Sequence, residues 1–423
     1  MKEIKIKSAN EVIYTFNAST GLPVYMWVNK DKHNVHMSLN VKYGSSGTNF
    51  TCNKMKYTVP TGTAHFLEHI KFHLNNCEAS DLLYDIGCDC NAYTSFNETS
   101  FEVYANDNIY EAVKILLNFV YDNYFTKQIV DNERSIILEE CNSGKDDPDY
   151  VFYRETTLNY LKKSPYRDPV VGYERDIKKI TVDDVSLVYD FFYRPENMFM
   201  VITGDFDPEE MQKTINENEV NRKFKNIGTV KVAKEKEPRE FVKDKVIVYN
   251  KNSINKQGSL IIKTPESDFK GYTKDEILVC LRAMINSNFG ITSDFYENIT
   301  QSEIATRFSS HVSYDDGVYG ISFNYYADDC DKVVKLINEK LDDLTISTDD
   351  LNRLRRSFKT NSIMRYDNIY SVSAFIIASI IDDGCINENK FDILNKLTIK
   401  KVNDIFSKVD LKNKMTSELR QKK

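Results

Sequence analysis

The run Ala64-His65-Phe66-Leu67-Glu68-His69 holds two imidazoles four residues apart and a carboxylate just before the second. The chain has 6 histidines in 423 residues, and three of them (His65, His69, His73) fall in this one stretch. On a helix, positions i and i+4 share a face one turn apart, so His65 and His69 can offer two ring nitrogens to one ion. Glu68 stays on the same side but displaced from that point. Its place suits an acid that takes a proton from an activated water, not one that binds the metal. His73 continues the series but sits further round. Three such rings do not converge on one ion from a straight helix, so His73 is read as lying outside the ligand set. The competing reading is a solvated polar helix that carries this spacing by chance.

A catalytic zinc needs a third protein ligand and an open position. A second helix, expected over 127–142, can supply the ligand. Ile129, Glu133, Ile136, Ile137 and Glu140 recur at helical spacing and are read as its inward face. Burying even a neutral polar group without a partner costs about 2–7 kcal/mol, so two carboxylates on one inward stripe call for a cation or donors. Glu139 points away from that stripe, roughly 110° round by helix geometry, which leaves Glu140 as the ligand. Glu133 is read as a supporting acid that orients the site.

The elements that must hold these residues are legible in outline. "VHMSLNVKY" (35–43) alternates apolar and polar residues as a half-buried strand does. "YTVPTGTAHFLEHIKFH" reads as a loop marked by Pro and Gly, then a helix, and "ASDLLYDIG" as a short helix stopped by Gly87. "CNAYTSF" and "SFEVYA" are two strands about a polar turn. A helix is expected near 109–123. "MFMVITGDFDPEEM" is a strand and then a helix that starts at Asp207-Pro208. "VYANDNIYEAVKILLNFV" (103–120) is echoed by "YYADDCDKVVKLINEKL" (325–341), half a chain later. The charged segment 221–245 lies between the copies and is the expected linker, with "EKEPRE" solvated. The expected architecture is α+β: two homologous domains, 1–220 and 246–423, each a mainly antiparallel or mixed sheet with helices on one side.

Composition narrows the class. Hydrophobic content of 41% and charged content of 28% belong to a globular chain, and the net charge of −7 disfavours general nucleic-acid binding. The 26 Tyr and 24 Phe have no basic run beside them, so they read as core and cavity lining. No segment approaches the about 18 apolar residues of a membrane span, and the N-terminal residues show no secretory apolar core. With 8 scattered cysteines, the expectation is reduced thiols in a cytoplasmic protein. "DDPDY" (146–150) is read as a turn.

The sequence resembles the pitrilysin, insulysin and mitochondrial processing peptidase family of zinc peptidases. His-x-x-Glu-His is the inverted zincin order. The segments "GTAHFLEHIKF", "GCDCNAYTSFNETSFEVYA", "NERSIILEECNSGKDDPD", "VGYERDIKKIT" and "YRPENMFMVITGDFDPEEM" follow the family's order and spacing. The resemblance implies one Zn2+ per chain on His65, His69 and Glu140, Glu68 as general base and Glu133 as the auxiliary acid. It also implies that Asn91 and Ala92 lie on the strand that holds the substrate main chain. An edge strand suits that role, because its free N–H and C=O groups let an extended peptide add to it. For Asn91 a local turn bond is the alternative.

One departure stands out. Members that act alone carry an Arg and a Tyr seven residues apart in the second half. Anchored on "SYDDGVYG", those positions hold Thr300 and Arg307 here. Arg307 and Tyr314 are seven apart one register later and are the substitute candidates. The second half has no His-x-x-Glu-His, its one histidine being His311. In this the chain resembles the metal-bearing subunit of bacterial two-subunit members, whose sister chain supplies the Arg/Tyr half. The reading is thus a zinc endopeptidase subunit acting on peptides, including leader or precursor peptides. The alternative is a non-catalytic scaffold on a peptidase fold.

Overall fold

In the computed structural model, which describes residues 1–422, fifteen strands follow in chain order. They are β1 (Lys2–Ile6), β2 (Glu11–Asn17), β3 (Pro23–Val28), β4 (Val35–Val41), β5 (Asn49–Cys52), β6 (Met55–Thr58), β7 (Asp89–Thr94), β8 (Thr99–Ala105), β9 (Met198–Gly204), β10 (Val230–Val232), β11 (Lys245–Asn250), β12 (Gln257–Pro265), β13 (Arg307–Asp315), β14 (Val318–Tyr326) and β15 (Lys414–Gln421). The helices that bear on the site and the cores are α1 (Thr63–Ile70), α2 (Ile109–Tyr121), α3 (Lys127–Asp146), α4 (Pro148–Tyr160), α5 (Lys274–Phe289), α6 (Cys330–Leu341) and α7 (Ile369–Asp383). The repeat appears as β8 running into α2 and β14 running into α6. Asp147, inside the expected turn, caps α4 by accepting the Asp149 N–H.

The first unit comprises residues 1–141, 168–233 and 361–388. Its seven-stranded sheet has the order β1-β2-β3-β9-β4-β8-β7 and is antiparallel except where β3 meets β9. Every residue of β4 is buried, because both faces of the sheet are covered. Met37, Leu39 and Val41 point to a core shared with Phe66 and Leu67 of α1, Leu116 and Leu117 of α2, and Ile137 of α3. On the opposite face Trp27, Phe199 and Val201 pack under Ile369, Val372 and Ile376 of α7. The sequence reading placed helices on one side only. The second layer comes from a helix more than 150 residues downstream of the last strand it covers, which no local pattern announces.

The second unit comprises 142–167, 234–360 and residues from Asn389 onward. Its sheet has the order β11-β15-β12-β14-β13. Leu260, Ile262, Ile321 and Phe323 share one core with α5 and α6. Val246, Val248, Met415 and Leu419 pack against Phe152 and Tyr160 of α4. The units are therefore not two continuous halves. Each sheet has a second apolar face, and a helix from the other half of the sequence covers it. Among the described residues no helix is long and apolar enough to cross a membrane.

The expected solvated linker is corrected at its centre. Glu237 is buried, and its carboxylate accepts the backbone N–H groups of Lys162, Lys163 and Ser164, all at 2.8 Å, and the Lys263 ammonium at 2.9 Å. Arg239 bridges Asp268 and Asp410. The cause is Lys263, which lies fully buried in β12 and needs a counter-charge. Lys263→Met leaves Glu237 buried without its cation. It is expected to lower stability by about 3–5 kcal/mol, read as a fall in the unfolding midpoint. An unchanged midpoint would contradict the pairing.

Candidate metal centre

Helix α1 starts at Gly62, whose φ of 87° is in the left-handed region. A Cβ there would sit 2.4 Å from the Val171 carbonyl, and one on Gly172 would sit 2.6 Å from the Thr61 carbonyl. The two glycines let the start of α1 and the 171–173 turn approach closely. Thr61 fixes the contact, donating to Asp176 at 2.8 Å and accepting the Tyr173 N–H at 3.1 Å. Phe66, Leu67 and Ile70 bury one side of α1 completely. The other side carries the histidines.

Helix α3 meets that side along Val130, Glu133, Ile137 and Glu140. Val130, Glu133 and Ile137 are buried, while Ile136 is 53% exposed and turns to solvent, contrary to the inward stripe expected. Ile137 is buried and Ile129 part-buried against the same core, as expected, and Glu133 is buried with them. Glu140 is not buried either, with half of its side chain exposed. It stands at the open end of the stripe.

Glu140 Oε1 lies 3.6 Å from His65 Nε2, and its Oε2 lies 3.7 Å from His69 Nε2. One ligand atom from each of the three residues falls within 4.8 Å of the others. Two ligands each about 2.0–2.1 Å from a tetrahedral ion are about 3.3 Å apart, so the donor set fits zinc with little movement. Burial, reinforced by the charge of His69 and opposed by Glu133, pushes His65 down to about 4. Its ring is neutral at pH 7, as a ligand must be. Its Nδ1 is buried with no partner among the described residues.

Glu133 is the buried carboxylate that joins His69 and His73. It accepts from His69 Nδ1 at 2.8 Å and from His73 Nε2 at 3.1 Å. The first bond fixes the His69 tautomer that leaves Nε2 facing Glu140. Burial alone would raise the Glu133 carboxyl, but the two histidine bonds hold it down to about 2. His73 Nδ1 lies 2.7 Å from Glu78 Oε1, so both of its nitrogens face carboxylates. The Glu133 bond, against burial, helps push His73 up to about 9. A protonated ring with both nitrogens engaged has no lone pair for a metal.

Glu68 is 7% exposed. Burial pushes its carboxyl above the ordinary value, although a bond from Thr94 Oγ1 at 2.6 Å and the charge of His69 act the other way. A carboxylate so raised is a stronger base near neutral pH. Thr94 ends β7, and among the described residues β7 pairs only with β8. Asn91 and Ala92 lie in the middle of this edge strand, opposite Glu102 and Phe101. The sequence reading did not single out Thr94. Alternation along "NAYT" was the available signal, since it puts Thr94 on the same face as Ala92.

Arg307 and Tyr314 are not brought together. They are the first and eighth residues of β13, so about 23 Å of strand separates them and they point to opposite faces. Arg307 lies over the Tyr326 ring, and the Tyr314 hydroxyl donates to Glu266 at 3.0 Å.

Comparison with known proteins bears on this geometry. Residues 27–172 match the family model described as insulinase (peptidase family M16), and residues 179–358 match the peptidase M16 inactive domain. The uncharacterized zinc protease YmfH of Bacillus subtilis (strain 168) is 31% identical over 310 residues, 71% of this chain and 70% of that protein. A crystal structure of an M16-like peptidase from Alicyclobacillus acidocaldarius superposes with a TM-score of 0.89 at 22% identity, covering 97% of this chain and 98% of that one. The periplasmic protease PqqL from Escherichia coli gives 0.75 at 16% identity, covering 99% of this chain and 48% of that one.

Proposed function

Because the chain belongs to the M16 peptidase family, we propose that it is the metal-bearing subunit of a zinc-dependent endopeptidase that cleaves peptides held as an added strand on β7. The observation that carries this reading is the placing of Glu68. It sits between a three-donor cluster and the end of an open sheet edge, tied to that edge through Thr94.

His65, His69 and Glu140 would hold the zinc, which would supply Lewis acidity toward a water and a carbonyl. The chain's own residues do the rest. The backbone of β7 around Asn91 and Ala92 pairs with the substrate main chain and sets its register. Glu68 accepts a proton from the attacking water and passes it to the nitrogen of the departing amine. Thr94 holds the carboxylate in place for both transfers. Glu133 keeps His69 in the tautomer the site needs.

The engagement of Arg307 with the Tyr326 ring and of Tyr314 with Glu266 supports a second part of the reading. PqqL is about twice as long as the segment this chain matches, so one polypeptide there spans two such lengths. Here a homologous sister chain supplies the missing Arg/Tyr contacts, and leader or precursor peptides are the substrate class. Adding that sister chain is expected to raise kcat/KM by about 10²–10³-fold, the effect of a lost oxyanion donor. Full activity of the isolated chain would refute the two-chain reading. The same engagement favours the alternative, a scaffold without activity, and an assembled pair that cleaves nothing would establish it.

A further inference from the structure

The sheet face turned away from α1 carries a second polar cluster. Helix α7 covers β3 and β9 on that face. Beside β8 and β7 it leaves a cavity of about 430 Å³. Tyr93, Tyr104 and Tyr370 wall the cavity, and His36, Glu102 and Ser373 line it with polar atoms. His36, Tyr104 and Tyr370 pack against one another, tilted or edge to face, with ring centres 5.1 to 5.5 Å apart.

The hydrogen-bond inventory of this cavity is one-sided. Glu102 accepts from the Tyr104 hydroxyl at 2.6 Å and faces His36 Nε2 at 3.5 Å. Burial acts to raise its carboxyl, but the bonds from His36 and Tyr104 outweigh it, so Glu102 is ionised at neutral pH. The other ring nitrogen of His36, Nδ1, is buried and has no partner among the described residues. Ser373 Oγ is also without one. His36 and Ser373 are 2% and 1% exposed, so neither atom is left to bulk water. A second carboxylate, Glu98, bonds the Tyr93 hydroxyl at 3.1 Å. Among the described residues no Lys or Arg lines the cavity. A carboxylate, a free imidazole nitrogen and three tyrosine faces complement a donor-only cation on an apolar stem. Arg and Lys side chains have that chemistry.

The register of β7 says where the cation comes from. Cys90 and Ala92 pack against the core under α1, and Thr94 reaches Glu68. Tyr93, between them, turns to the opposite face and lines the cavity. A peptide added to β7 alternates in the same way. Side chains that flank the one facing Glu68 turn toward the tyrosines. We propose that this cavity is a specificity pocket that takes an arginine or lysine side chain of the bound peptide, close to the scissile bond, with Glu102 as its counter-charge. The proposal rests on the peptidase reading above.

The test uses the zinc-loaded Glu68→Gln protein, with and without its sister chain, so that peptides bind uncut. Labelled peptides carry arginine at each position in turn, with citrulline as the neutral isostere, and binding is read by fluorescence anisotropy. Arginine is expected to bind at least about tenfold tighter than citrulline at alternate positions only. Adding Glu102→Gln is expected to bring that ratio to within about twofold of one. Tyr370→Ala, at a ring already 43% exposed and so tolerant of change, is expected to lower it several-fold. A ratio near one in the unaltered pocket, with peptides still bound, would overturn the pocket and leave the peptidase reading standing. Failure to bind any peptide would overturn both.

Discussion

Glu68→Gln is expected to lower kcat/KM for peptide hydrolysis by about 10²–10⁴-fold and to leave the zinc content unchanged. Glutamine keeps the size of the side chain and can still accept from Thr94, so the 2.6 Å contact to the edge strand survives. What is lost is the ability to take and return a proton. Removing a buried carboxylate also removes a desolvation cost, so the variant should be no less stable than the parent. Peptide cleavage measured together with zinc analysis separates the possibilities. A variant that keeps its rate would remove Glu68 from the chemistry. A variant that loses zinc with its rate would make Glu68 a ligand.

Glu140→Ala is expected to weaken zinc binding by more than about 100-fold, because even partners that only orient a ligand contribute 10–100-fold. The comparison that gives this meaning is Glu139→Ala. Both glutamates are exposed residues of α3, one position apart. Only Glu140 has carboxylate oxygens 3.6 and 3.7 Å from the two imidazoles. Competition titration with a chromogenic chelator reads the two affinities. Equal loss in both variants would mean that the region acts by general negative charge and not by ligation.

The part of this site legible in the sequence is the part governed by helix geometry. The i, i+4 relation fixes His65 against His69, and the angular step along a helix separates Glu140 from Glu139. His73 lay outside the ligand set by the same argument, and its two carboxylate partners supply the structural reason. Ile136 shows the limit of periodicity: an aliphatic residue at helical spacing still faced water, because Val130 and Ile137 had already filled that side of α3. Contacts between distant segments were not legible. The bond from Thr94 to Glu68, the helix 369–383 over the first sheet and the burial of Glu237 against Lys263 join residues that only the tertiary fold brings together. The domain description suffered most, since each sheet is completed by a helix encoded in the other half of the chain.

The central claim is a single ion held by three named side chains. A crystal of the zinc-loaded protein, measured on both sides of the zinc absorption edge, tests it most directly. One anomalous peak is expected about 2.0–2.2 Å from His65 Nε2, His69 Nε2 and a Glu140 oxygen. No peak there, or a peak held instead by His73, would contradict it.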